Sequence, residues 1–112
     1  MKTKISSADL FAKAKVGLGA TYHSGSDSYG FYIASVDPKT KTIGIYEPRH
    51  WFKNDWTDGY MEHEPFDPTH QPTNYLQAFR GHWYEFDKST GARLGRFELF
   101  IGVCQFYQDP SF

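Results

Sequence analysis

Three histidines, His50, His63 and His70, fall in one stretch of the chain together with Glu62, Glu64 and Asp67. Imidazole and carboxylate groups are the ligands that zinc and manganese take, so this is the candidate metal set. The spacing fixes no geometry for it. No two histidines stand four apart, and Pro65 and Pro68 separate His63 from His70. Paired carboxylates in the same stretch could serve glycoside chemistry, but nothing sets their separation. Cys104 ends the apolar run Leu99-Phe100-Ile101-Gly102-Val103-Cys104, where a thiol behaves as a small hydrophobe. No serine stands in a nucleophile-elbow pattern. Gly17-Leu18-Gly19 follows a helical segment instead of opening one, so it is no phosphate cradle. The residues form no coherent catalytic set and call for no cofactor. The chain therefore leans away from an enzyme.

The aromatic side chains say more. Ten Phe, eight Tyr and three Trp in 112 residues are an unusually large share. Rings of this kind dominate protein interfaces and stack on sugars or bases. They are dense between residues 47 and 75, where Arg49 and Lys53 face Glu47, Asp55, Asp58, Glu62, Glu64 and Asp67, a net charge of -4. An aromatic, acidic segment of this kind suits a protein partner, or a second copy of the chain. Trp51, Trp56, Tyr60 and Phe66 would anchor it, with Asp55, Asp58, Glu62 and Glu64 steering. The alternative is a carbohydrate or small-molecule pocket, of a binding protein or of an enzyme, lined by Tyr32, Tyr46, His82, Trp83, Tyr84 and Glu85. The chain-wide net charge of -1 excludes a broad appetite for nucleic acid or anionic membrane. Lys39, Lys41, Arg80, Arg93 and Arg96 are the only plausible basic contacts, and nucleic acid is not the expected partner.

These residues need elements to hold them. The length points to a single domain over 1–112. Ser6 with Asp9 three positions on signals a helix start, and Leu10, Phe11 and Ala14 share a face, so a helix is expected over 7–16. A three-strand meander follows over 19–47, with a turn at Asp37-Pro38. The period is lost over 48–75, which holds Pro48, Pro65, Pro68 and Pro72 and reads as an irregular insert. A long hairpin over 76–107 and a tail over 108–112 complete the chain. One strand of the hairpin runs Phe79 to Phe86 and the other Arg93 to Phe106, joined through Asp87-Lys88-Ser89-Thr90-Gly91. The expected class is α+β: an N-terminal helix packed on a curled antiparallel meander of about five strands, with the insert between strands 3 and 4. Gly81-His82-Trp83 resembles the Gly-x-Trp signature of lipocalins. Fewer than thirty residues follow the resemblance, too few for the rest of that family's barrel, so no fold or function is carried over. One cysteine allows no internal disulfide. The polar start carries no apolar signal region, and a soluble, cytoplasmic protein is expected, with a cleaved secreted form as the alternative.

Overall fold

A computed structural model describes residues 6–55, 57 and 59–109. A short helix, α1 (Ser7–Ala12), precedes nine strands: β1 (Gly19–Ser24), β2 (Asp27–Asp37), β3 (Thr42–Tyr46), β4 (His50–Phe52), β5 (Met61–His63), β6 (Asn74–Phe79), β7 (His82–Asp87), β8 (Ala92–Arg96) and β9 (Leu99–Gly102). Seven of them form one antiparallel sheet in the order β8-β7-β6-β3-β2-β1-β9, while β4 and β5 form a separate two-stranded ribbon.

The sheet is rolled up by its last strand. β8 pairs with β7 at one edge and β9 pairs with β1 at the other, yet only Phe97 and Glu98 separate β8 from β9. A sheet whose two edge strands are two residues apart in the chain is drawn together at that corner into a barrel-like roll, although β8 and β9 do not pair with each other. At the bend the Phe97 N–H still donates to the Trp83 carbonyl (2.8 Å), and the Phe97 ring stacks on Tyr22 at 4.3 Å. Register shifts between Ile33 and Ser35 and between Tyr84 and Phe86 add the local twist that such curling needs.

Strand alternation then sorts the residues. Ala20, Ile33, Ile43, Ile45, Leu76, Ala78, Trp83 and Leu99 make the core, joined by Ala14 and by half-buried Leu10 and Phe11 from the N-terminal segment. Gly30, Tyr32, Gly44 and Tyr46 alternate with these core residues and so face outward. Trp83 is the largest fully buried side chain and fills the interior. Its indole N–H has no partner among the described residues, a cost of about 1–3 kcal/mol that its large apolar area outweighs.

The expected α+β class is overturned. The fold is mostly β, with seven strands in the main sheet instead of five, and the insert follows β3 but contains its own ribbon. The helix starts as expected, with Ser6 Oγ accepting from the Asp9 N–H (3.1 Å), but it ends at Ala12 and not at residue 16. Six residues cannot cover a sheet, so the sheet covers itself. The expected strand from Phe79 to Phe86 is broken near its start: Phe79 ends β6, Arg80-Gly81 form a hairpin turn, and the rest belongs to β7. Arg80 and Gly81 sit at φ 50° and 78°, the two-residue geometry that normally takes Asn-Gly. No helix among the described residues is long and apolar enough to cross a membrane.

Candidate functional site

The insert divides into a ribbon that stands out and a return segment that lies down. In the ribbon His50 faces His63, Trp51 faces Glu62 and Phe52 faces Met61. Trp51 is 48% exposed, and its indole N–H donates to Glu62 Oε2 at 3.3 Å. Beyond Phe52, the Asp55 carboxylate accepts from the backbone N–H and the hydroxyl of Thr57, and the hydroxyl bond above all holds its pKa below the ordinary value. Gly59, at φ 76°, brings the chain back. Tyr60 follows, 58% exposed, with its ring edge-on to Tyr107 at 5.1 Å.

The ribbon is fixed in place by the C-terminal segment. Ser28 and Tyr107 exchange both backbone bonds (2.7 and 3.0 Å), and the Gln108 N–H donates to the Gly59 carbonyl (2.9 Å). Residues 106–108 thus act as a strap between β2 and the ribbon. On the ribbon's inner side His50 stacks on Phe106 at 4.0 Å.

The return segment is packing. Phe66 lies against Tyr32 and Tyr46, with centroids 5.8 and 6.4 Å away, and over Gly17. The Tyr46 hydroxyl accepts the Asp67 N–H (2.8 Å), and His70 stacks on the Tyr46 ring at 4.0 Å. Asp67 is itself held below the usual carboxylate range, chiefly by the Thr69 hydroxyl. Burial raises the Tyr32 phenol, with Cys104 and Tyr46 adding to the effect.

The candidate residues are therefore distributed as follows. Of the partner-binding set, Trp51, Tyr60, Asp55, Glu62 and Glu64 are exposed on or beside the ribbon. Phe66 is half-buried mortar. Trp56 and Asp58 lie outside the described residues. The three metal candidates do three separate packing tasks. His63 Nε2 is 3.0 Å from the Cys104 carbonyl oxygen and Nδ1 is 2.9 Å from that of Glu64, while His50 and His70 stack on Phe106 and Tyr46. Among the described residues no group of His, Cys, Asp and Glu side chains could hold a metal ion.

The six residues of the alternative pocket are not brought together. Trp83 points into the core, and Glu85 shares its side of β7. His82 and Tyr84 alternate to the other face, and Tyr32 and Tyr46 lie beneath the insert. His82 is engaged with Glu98 at 2.9 Å. Cys104 is buried, and that burial, with the nearby Glu47 charge, pushes its thiol up to about 12, far from a nucleophile's value. Two clefts flank these groups. One of about 180 Å³ lies between the strap and the ribbon, lined by Tyr29, His50, Met61 and Phe106. One of about 330 Å³ lies at the barrel end beside α1, lined by Leu10, Lys13, His82, Trp83 and Ile101. The strap residues Tyr107 and Gln108 are what sequence reasoning missed. Nothing local marks a residue whose backbone pairs with partners about fifty and eighty positions away. The chain matches no protein-family profile, no curated protein and no solved structure.

Proposed function

We propose that the chain is a small, non-enzymatic binding protein that engages a protein partner through the outer face of the β4–β5 ribbon. The observation that carries this reading is the exposure of Trp51 and Tyr60 on a ribbon that the strap holds in place. Large rings displayed on a pre-ordered element lose little entropy when they are buried by a partner. Asp55 and Glu62 stand beside them, and Glu64 is satisfied by Arg49 at 3.6 Å. The partner surface is accordingly basic, with apolar pockets for two rings.

The test is a cross-linking pull-down from the native host with the Trp51→Ala/Tyr60→Ala variant beside the parent chain. The variant should lose the partner, with about 2 kcal/mol or more removed from binding. Its melting temperature should stay close to the parent's, since both rings are already half in water. The same partner retained at equal affinity overturns the reading. One observation favours a small ligand instead: the cleft of about 330 Å³ at the barrel end reaches the size of small-molecule sites. A thermal-shift screen separates the two, because a ligand of that cleft would stabilise the Trp51→Ala/Tyr60→Ala variant as much as the parent.

A further inference from the structure

The outer face of the barrel over β6, β7 and β8 is the part the insert leaves uncovered, and there the structure gathers cations that the sequence scatters. Strand pairing sets Tyr75, Gln77 and Phe79 of β6 in a row beside Phe86, Tyr84 and His82 of β7. Tyr75, Phe79, Tyr84 and Phe86 are all half-buried. The Arg93 guanidinium lies 3.4 Å from the centroid of Phe79 and 6.0 Å from that of Tyr84. The Arg80 guanidinium lies 5.1 Å from the same Phe79 ring, and Lys88 Nζ lies 4.7 Å from the Tyr75 ring. Gln77 organises the group. Its Oε1 accepts from Arg93 Nε (3.2 Å), and its Nε2 donates to the Thr40 carbonyl (3.1 Å), which ties the Lys39–Lys41 turn to the same place.

Two features of this face point to an outside ligand. Arg80 and Arg93 crowd one phenyl ring, and among the described residues neither they nor Lys88 form an ion pair, whereas Arg49 and Arg96 do. Arg80 and Arg93 repel each other across the Phe79 ring, and an anion between them relieves this. Arg80 also occupies a left-handed turn position, φ 50°, that Asn or Gly fills at less conformational cost. With Nε of Arg93 held by Gln77, its terminal N–H groups remain for an outside acceptor.

We propose that this face binds single-stranded nucleic acid, with Arg80, Arg93 and Lys88 on phosphates and Tyr75, Tyr84 and Phe86 stacking against bases. The pairing of cations with half-open rings on a sheet face is what distinguishes this ligand. An acidic peptide would use the cations and leave the rings idle. A duplex would keep its bases out of the rings' reach. The net charge of -1 averages this face with the acidic insert, which is why the whole-chain balance points elsewhere.

The test is fluorescence anisotropy of the full chain with a labelled single-stranded thymidine oligomer at low salt. Binding is expected at roughly 1–100 µM. Replacing Arg80→Gln and Arg93→Gln together should weaken it at least about tenfold and flatten the log–log salt slope by about 1.4, the release expected for two single-strand phosphate contacts. Tyr84→Leu should weaken it about tenfold and leave the slope unchanged, since stacking releases no counterions. Absence of binding at low salt overturns the proposal, as does unchanged affinity in the double-arginine variant with its melting curve intact. Equal affinity for a duplex, for inorganic polyphosphate or for an acidic peptide also overturns it. So does self-association that the arginine variant abolishes while no oligomer binds, because the face would then belong to a second copy.

Discussion

The two halves of the barrel's outer face obey the same alternation and meet opposite fates. Over β1 to β3 the outward positions include Gly19, Gly30, Tyr32, Gly44 and Tyr46, and chain lies on each of these five. Cys104 packs on Gly19 and Gly30, Pro72 on Gly44, and Phe66 on both tyrosines. Over β6 to β8 the outward positions are rings and long cations with nothing laid across them. The difference is set by which outward residues are small. A glycine beside a tyrosine leaves a trough into which a second segment settles, whereas a row of rings capped by arginines gives it no seat. One half therefore became interior, and the other stayed available.

Substitutions at matched positions break or sharpen this contrast. The largest effect is expected at Tyr46, which is 1% exposed and anchors Phe66, His70 and the Asp67 N–H. Tyr46→Ala should cost roughly 3–5 kcal/mol in urea unfolding, against about 1 kcal/mol for Tyr84→Ala on the open half. Equal losses would erase the distinction. Next comes one substitution made twice. A Cβ at Gly30 would stand 2.6 Å from Cys104 Sγ and 2.9 Å from the Phe106 ring, while one at Gly95 meets nothing within 4 Å. Gly30→Ala should cost about 1–3 kcal/mol by lifting the strap, and Gly95→Ala should stay within about 0.5 kcal/mol of the parent.

Chemical labelling reads the same cover. With its thiol pushed up to about 12, Cys104 should react with a disulfide reagent at pH 8 at least about a hundredfold more slowly than free cysteine. Phe66→Ala should speed that reaction if the return segment is what seals the covered half. The smallest effect is expected with acid. Asp67 on the covered side and Asp87 on the open side are both held below the ordinary carboxyl value, mainly by the hydroxyls of Thr69 and Ser89. Such a group adds stability above its unfolded pKa of about 3.9, and this is lost as pH falls through the lower folded value. Thermal melts should therefore drop below about pH 4, and Asp67→Asn should blunt part of that drop.

Much of the local layout could be read from the residues. The Ser6 cap, the strand over Gly19–Ser24, the turn after Asp37 and the strand over Thr42–Tyr46 follow from caps, alternation and proline, all of which act over a few residues. The hairpin at Arg80-Gly81 was not legible, because an arginine carries no turn signal and takes a left-handed φ only under tertiary constraint. The bend at Phe97-Glu98 was equally hidden, since the residues on both sides keep the strand pattern. Of the candidate site, Trp51 and Tyr60 could be named for their type. Phe66 has the same type and lies in the same segment, and only the trough between Tyr32 and Tyr46 decides that it is packing.

The sequence by itself determined the Ser6 cap, the extended runs of β1 and β3 and the turn after Asp37, because those properties depend on neighbours a few positions away. The tertiary structure alone decided that the sheet curls until its edges meet at one corner, that three histidines serve as packing, and that Arg80, Arg93 and Lys88 share a face with Tyr75 and Tyr84. These outcomes depend on segments far apart in the chain meeting in space, and they are fixed by strand register and by the volume of the outward side chains, neither of which any short stretch of residues encodes.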